Sequence, residues 1–137
     1  MDQLKEYGTF EDRGLGAQNP KGYKMIRCHM VYDVKVDGRH KSGLVARGHL
    51  TDIPLESVYS GVVSLCSVRL IAFILELNEL KLWATDIGNA YLEAYTSKKV
   101  CFIAGGEFGE LAGHIIIIIK ALYGLKRSGL RWHDHLA

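Results

Sequence analysis

The sequence predicts an α+β domain, and three observations carry that prediction. Apolar and polar residues alternate from Ile26 to Val36, the period of a half-buried strand, whereas from Leu65 to Leu75 apolar residues recur at three-and-four spacing, the period of a helix. Five consecutive isoleucines, Ile115 to Ile119, suit a strand covered on both faces. Strands and helices follow one another without a regular strand-helix-strand repeat, which sets the layout apart from a doubly wound parallel sheet. At 137 residues, 48% hydrophobic and 23% charged, the chain is about one domain with enough apolar material to form a real core.

The elements can be justified in order. Residues 1–21 are polar and Gly-rich, with Asn19-Pro20 as a turn signal, and are expected to form a loosely held leader or linker; the folded domain is expected over 22–137. Ile26, Cys28, Met30, Tyr32, Val34 and Val36 alternate with Arg27, His29, Asp33 and Lys35, Val31 being the exception. Asp37-Gly38 then reads as the turn of a hairpin whose second arm is RHKSGLVARG, residues 39–48. A long connection runs through Pro54. Ser64 is placed to cap a helix over Leu65 to Glu79, built on Leu65, Val68, Ile71, Ala72 and Leu75. A short strand from Lys81 to Thr85 is expected to deliver Asp86 at its C-terminal end, where side chains tend to face a cleft. Residues 98–104 read as a further strand. Gly105, Gly106, Gly109 and Gly113 mark a loop, His114 to Lys120 a buried strand, and Ala121 to Ala137 a helix weakened by Gly124 and Gly129.

Composition excludes several classes of function. The net charge of +2 and a pI near 8.4 are only mildly basic, so local clustering must carry any case for nucleic acid. Cys28, Cys66 and Cys101 are far apart and form no C-x-x-C, which argues against a disulfide framework and against a zinc site. The N-terminus lacks the apolar core of a signal peptide and the isoleucine run is too short to span a bilayer. An intracellular setting, cytoplasm or nucleus, is expected, with no secretion and no membrane. His133 and His135, two apart on a helix, point in different directions, and neither Gly105 to Gly113 nor Gly14-Leu15-Gly16 has the pattern of a phosphate or dinucleotide loop.

The charges cluster in two segments. Lys24, Arg27, Lys35, Arg39, Lys41 and Arg47 oppose only Asp33 and Asp37, and Lys120, Lys126, Arg127 and Arg131 form a second basic segment with no acid among them. Asp86 lies between the two in sequence. A carboxylate flanked by cationic segments suits phosphoryl transfer, because Mg²⁺ takes hard oxygen ligands while lysine and arginine hold phosphate oxygens. The plainer alternative is that these bases are solvated surface.

Four segments in order resemble a known family. RHKSGLVARGH (39–49), YSGVVSLCSVRLIAF (59–73), TDIGNAYLEA (85–94) and KALYGLKRSGLRWHD (120–134) are similar to blocks of the copia-type retrotransposon reverse transcriptase, an RNA-directed DNA polymerase, at similar separations. The resemblance runs from about Gly22 to the last residue. It implies a partial fingers and palm of a reverse-transcriptase-like polymerase: a β-hairpin plus an incomplete palm sheet packed on helices. It implies that Asp86 is the first catalytic aspartate and a ligand of Mg²⁺, with Mn²⁺ the alternative ion, and that Ile87 lends that metal its backbone carbonyl. Asn89 and Ala90 would offer backbone N–H groups to a triphosphate, and Tyr91 would lie under the incoming sugar and exclude a 2′-hydroxyl. Lys41 and Arg47, on the hairpin, would neutralise phosphate charge. Arg127 would meet the nucleotide, and Lys126 and Arg131 the nucleic acid. Arg69 is read as structural or solvent-facing. The implied partners are an RNA or DNA primer-template, a deoxynucleoside triphosphate and the remainder of a retrotransposon polyprotein.

The chain also departs from the family pattern. Gly43 stands where many members have arginine, and Lys126-Arg127-Ser128-Gly129 stands where they have Lys-Gln-Ala-Pro, which bears on nucleotide grip and template position. No Asp-Asp pair occurs in the 137 residues, so the Tyr-x-Asp-Asp hairpin that supplies the family's second catalytic aspartate has no counterpart; Glu93, Glu107 and Asp134 are the nearest acids in sequence. A two-metal site cannot be completed by Asp86 alone. The expectation is a partial domain from a truncated or decaying element, inactive by itself. The alternatives are a non-catalytic nucleic-acid-binding remnant and a non-functional pseudogene product whose uncovered isoleucine run would drive aggregation.

Overall fold

The computed structural model describes residues 2–51 and 61–137; the connection expected through Pro54 and the first two residues of the 59–73 block lie outside the described residues. In chain order these residues form α1 (Asp2–Glu6), β1 (Phe10–Leu15), β2 (Lys24–Met25), β3 (Cys28–Val34), β4 (His40–Ala46), α2 (Leu65–Leu77), β5 (Val100–Ile103), β6 (His114–Ile118) and α3 (Ser128–Leu136). Short 3-10 segments lie at Gly48–Leu50, Ala90–Glu93 and Gly106–Leu111, the last broken in two at Gly109. The mixed helix and sheet content agrees with the α+β expectation.

The isoleucine run is the centre of the main sheet, whose strand order is β1-β6-β5-β2. β6 pairs antiparallel with β1 on one side and with β5 on the other, and β5 pairs parallel with the two-residue β2. With strands on both edges, β6 directs alternate side chains to opposite faces, and both are covered. Ile116 and Ile118 join Phe102, Val100, Ile26, Leu44, Ala46, Leu92, Phe108, Leu122 and Leu125 in the larger core. Ile115 and Ile117 pack with Cys101 on the other face, under Ala17 and Tyr23. The pseudogene expectation of an uncovered run is therefore corrected, since Ile115 to Ile118 are all buried.

The leader is the second correction. Residues 1–21 were expected to be loosely held, but Phe10 to Leu15 form β1 in register with β6, and Phe10 sets its ring edge-on to Phe102 and Phe108 at 5.8 and 6.1 Å. Polar composition misleads here because β1 is an edge strand with only Phe10 and Gly14 partly buried, so its sequence carries no alternation. Asp12 accepts hydrogen bonds from the Gly14 N–H at 2.8 Å and faces the His114 ring at 3.0 Å, tying β1 to β6 by side chains as well. These contacts hold the Asp12 carboxyl below the usual carboxylate range, the Gly14 N–H first and His114 second.

The hairpin β3–β4 forms as expected, with seven paired positions from Cys28↔Ala46 to Val34↔His40. The Asp37 carboxylate holds the turn, accepting from the Arg39 N–H at 3.1 Å and from its guanidinium at 2.9 Å, while Gly38 takes the left-handed φ of 79° that the reversal requires. The Arg39 guanidinium pulls the Asp37 carboxyl below its ordinary pKa. Only the root of the hairpin reaches the core: Cys28, Met30, Leu44 and Ala46 pack inward, whereas Tyr32, Val34 and Val36 on the same parity project beyond the sheet and are exposed.

Three further expectations are revised. α2 forms with the predicted cap, the Ser64 hydroxyl accepting from the Ser67 N–H at 3.1 Å, yet none of its residues is buried, so this helix is not one that packs on the sheet. No strand forms over Lys81 to Thr85, which is irregular and exposed, since no neighbouring strand pairs with it. The last helix starts at Ser128, because Gly124 takes a φ of 89° that no helix tolerates, and the Ser128 hydroxyl donates to the Leu122 carbonyl at 2.6 Å to close the turn. Among the described residues, no helix is long and apolar enough to cross a membrane.

Candidate functional site

The site begins with the parity of the hairpin. Because even positions of β3 and β4 face the core at its root, odd positions share the opposite face, and cross-strand register sets Asp33 against Lys41, Val31 against Gly43 and His29 against Val45. Val31, Asp33, Lys41, Gly43 and Val45 line an open groove of about 190 Å³ together with Tyr123, which comes from the segment after β6. Lys41 is exposed, with no ion-pair partner among the described residues despite facing Asp33 across the pair. The groove therefore presents the Lys41 ammonium and, opposite it, the Asp33 carboxylate over an apolar and aromatic floor.

Tyr123 reaches this face because its backbone is joined to the end of β4. Val45 and Tyr123 form a parallel bridge, and the Ala46 N–H donates to the Tyr123 carbonyl at 2.8 Å. The approach demands glycine on both sides: a Cβ at Gly124 would run into the Ala46 carbonyl, and one at Gly48 into the Gly124 carbonyl and the Leu125 Cα. On its other side the Tyr123 ring meets Tyr91, with centroids 4.6 Å apart and planes tilted by 52°.

Tyr91 sits on the 3-10 turn Ala90–Glu93, which Leu92 anchors in the core and α3 packs against. Asn89 precedes the turn with φ 54° and ψ 32°, a left-handed conformation that asparagine tolerates better than most residues, and its carbonyl accepts from the Leu92 N–H at 2.8 Å. The opening N–H groups of such a turn, at Ala90 and Tyr91, have no partner within it. Asp86 and Ile87 lie just before it in exposed, irregular chain, and the Asp86 carboxylate has no hydrogen-bond or ion-pair partner among the described residues. Their oxygens are suitable hard donors for a divalent cation. Among the described residues, however, no group of three or more His, Cys, Asp or Glu side chains converges, so Asp86 has no companion side chains there to complete a ligand set.

The remaining basic residues are used in other ways. Lys126 donates to the Thr51 carbonyl at 2.6 Å, and Lys120 donates to the Glu93 carbonyl at 3.2 Å while lying 3.9 Å over the Tyr95 ring. Arg131 stands 3.6 Å from Asp134 one turn along α3, and Arg127 occupies the position before that helix, half-buried. Arg47 is exposed at the end of β4, where its N–H donates to the Arg27 carbonyl at 2.8 Å. Arg69 is exposed on α2. The structure thus brings Lys41 and Tyr91 to either side of Tyr123. It gives Lys126 and Arg131 partners within the chain.

Tyr123 and Gly48 are the residues that the sequence reading passed over. Tyr123 was seen only as the start of a helical block, and Gly48 only as the end of a hairpin arm. The parity of 41, 43 and 45 marks the groove face, but no local pattern announces that a segment 78 residues beyond Val45 joins its edge.

Residues 16–137 match the family described as reverse transcriptase (RNA-dependent DNA polymerase). A retrovirus-related Pol polyprotein from transposon TNT 1-94 of Nicotiana tabacum is 29% identical over 97% of this chain and 10% of its own length. A transposon Ty1-DR4 Gag-Pol polyprotein of Saccharomyces cerevisiae is 28% identical over 96% of this chain and 8% of its own length. This chain therefore spans about a tenth or less of the curated relatives it matches. No solved structure matches it. With nearly all of its length matched, the chain belongs to the reverse transcriptase (RNA-dependent DNA polymerase) family, of the copia-type retrotransposon kind that its four sequence blocks resemble.

Proposed function

We propose that this chain carries the nucleotide-facing part of a retrotransposon RNA-directed DNA polymerase, with β3–β4 as the fingers hairpin and the main sheet as the first part of a palm. The single observation that supports this most is the continuous face from Lys41 through Tyr123 to Tyr91, which offers a cation for phosphate and an aromatic surface for a sugar. In this reading Lys41 holds the triphosphate, Arg47 and Arg127 add positive charge at its margins, and the N–H groups at Asn89 and Ala90 point to phosphate oxygens. Tyr91 excludes a 2′-hydroxyl by contact. Asp86, with the Ile87 carbonyl, contributes to holding Mg²⁺, which when bound supplies Lewis acidity for nucleotidyl transfer. Lys126 and Arg131 lie along the primer-template. Reverse transcriptases as a family use a divalent metal; the choice of Mg²⁺ over Mn²⁺ belongs to the proposal.

The test uses the 137-residue chain. With Mg²⁺ present, dATP is expected to perturb amide resonances of β3, β4 and the Ala90–Glu93 turn, and Lys41→Ala to weaken that binding several-fold, as loss of one charge-assisted contact does. Perturbation elsewhere, or none, refutes the assignment. The same chain is expected to extend no primer, since 137 residues without an Asp-Asp pair provide one catalytic carboxylate; template-dependent synthesis abolished by Asp86→Asn would show that the site is complete.

A further inference from the structure

The odd feature of the site is Tyr123. The residue is more than half exposed, so burial does not explain it, and yet its backbone is tied to the end of β4. The bridge to Val45, the hydrogen bond from Ala46 and the glycine contacts at Gly48 and Gly124 fix where its Cα stands relative to β4. Its ring then does two things at once. It closes one end of the groove lined by Lys41, Gly43 and Val45, and it lies 4.6 Å from the Tyr91 ring, the one aromatic neighbour Tyr91 has among the described residues.

The Tyr91 backbone is fixed by the Ala94 N–H, which donates to its carbonyl at 3.1 Å, and by α3 packed on the turn, but its ring has no other aromatic neighbour among the described residues. The turn that carries it is anchored through Leu92, whose side chain points to the core, and Tyr91 itself is only half-buried. A ring that is to measure a sugar must be held to within a fraction of an ångström, which calls for a neighbour that locks its rotamer. Tyr123 is the side chain in that position, and it is attached by its backbone to the hairpin that bears Lys41.

We propose that Tyr123 is a positioning residue: its ring seats Tyr91 against the sugar of the incoming nucleotide, so that discrimination against a 2′-hydroxyl depends on Tyr123 and is referenced to the position of the β3–β4 hairpin. This rests on the nucleotide-binding reading above, and it gives Tyr123, there only part of the aromatic surface, a role of its own. Tyr123 touches neither phosphate nor metal in this scheme. Its contribution is expressed in selectivity between sugars and not in the strength of phosphate binding.

The experiment compares dATP and ATP binding to the whole chain, with Mg²⁺, by amide chemical-shift titration of the wild type and of Tyr91→Ala, Tyr123→Leu and Tyr123→Phe. The wild type is expected to prefer dATP. Tyr123→Leu is expected to reduce the preference by about three- to tenfold, the size of a lost aromatic pair, chiefly by improving ATP binding, while Tyr123→Phe retains it because the ring is kept. A preference that depends on Tyr91 but survives Tyr123→Leu overturns this proposal and leaves the nucleotide site standing. No binding, or a preference indifferent to Tyr91→Ala, overturns the nucleotide reading and the proposal with it. Collapse of the amide spectrum in Tyr123→Leu also overturns it, since the ring would then be a structural prop.

Discussion

Replacing Gly48 by alanine tests whether the hairpin is joined to the main sheet by backbone contact. The new Cβ would press on the Gly124 carbonyl oxygen and stand 2.8 Å from the Leu125 Cα, both main-chain atoms that cannot turn aside as a flexible side chain would. The hairpin root and the 123–125 segment must then part, and overpacking of this sort costs about 1–3 kcal/mol. Gly48 does not have a left-handed φ, so the loss is steric alone. Gly124→Ala adds to a similar clash with the Ala46 carbonyl a φ of 89°, which raises the expected loss by about 1–2 kcal/mol. Gly106→Ala is the control, because its Cβ meets nothing within 4 Å and a small gain from lower unfolded-state entropy is expected there. Urea unfolding followed by circular dichroism, read as the shift in midpoint at constant slope, gives the three values in order Gly106, Gly48, Gly124. A Gly48→Ala variant within about 0.5 kcal/mol of the wild type would refute the clamp, since that is the scatter of an inconsequential surface change.

Other outcomes are as direct. Asp12, its carboxyl lowered by the Gly14 N–H and by His114, contributes stability that is complete above its ordinary pKa of 3.8 and disappears as pH falls through the depressed folded value; urea midpoints against pH should show an acid limb that Asp12→Asn flattens. Of the three thiols, Cys66 is exposed and should be alkylated at once at pH 8, whereas Cys28, pushed up to about 12 by burial and then by the Glu107 charge, and the fully buried Cys101 should react only after denaturation, as mass spectrometry of iodoacetamide-treated chain would show. Gly43→Arg finds open space above the groove next to Lys41, so the fold should tolerate it and dATP should bind more tightly by about 1.5 kcal/mol, the low end for a charge-assisted contact; unchanged affinity would place the triphosphate elsewhere.

The legible parts of the fold were those whose side chains answer to local periodicity. The hairpin turn, the Ser64 cap and the isoleucine run each follow from adjacent residues, and each forms where the pattern puts it. β1 was illegible because an edge strand that buries little besides Phe10 has no alternation to show. The failure over Lys81 to Thr85 has the converse cause: β propensity is a preference for pleated, half-buried surroundings, and LWAT there has no strand beside it. In the candidate site, Asp86, Tyr91 and Lys41 were singled out as expectations through the family blocks, and the structure sets Lys41 and Tyr91 beside Tyr123. Tyr123 was not, because its role depends on a bridge between Val45 and a residue far along the chain.

The open position of α2 has a thermodynamic consequence. A helix of 13 residues in water is marginal by itself, and most helices are held by the face they bury. α2 buries no residue, so its persistence rests on the hydroxyl of Ser64 at one end, the Asn78 amide bonded to the Ile74 carbonyl at the other, and the weak intrinsic preference of its leucines. Heated gently, the molecule should lose this segment while β1, β5 and β6 stay paired, and its amides should exchange with deuterium well ahead of those in the isoleucine strand.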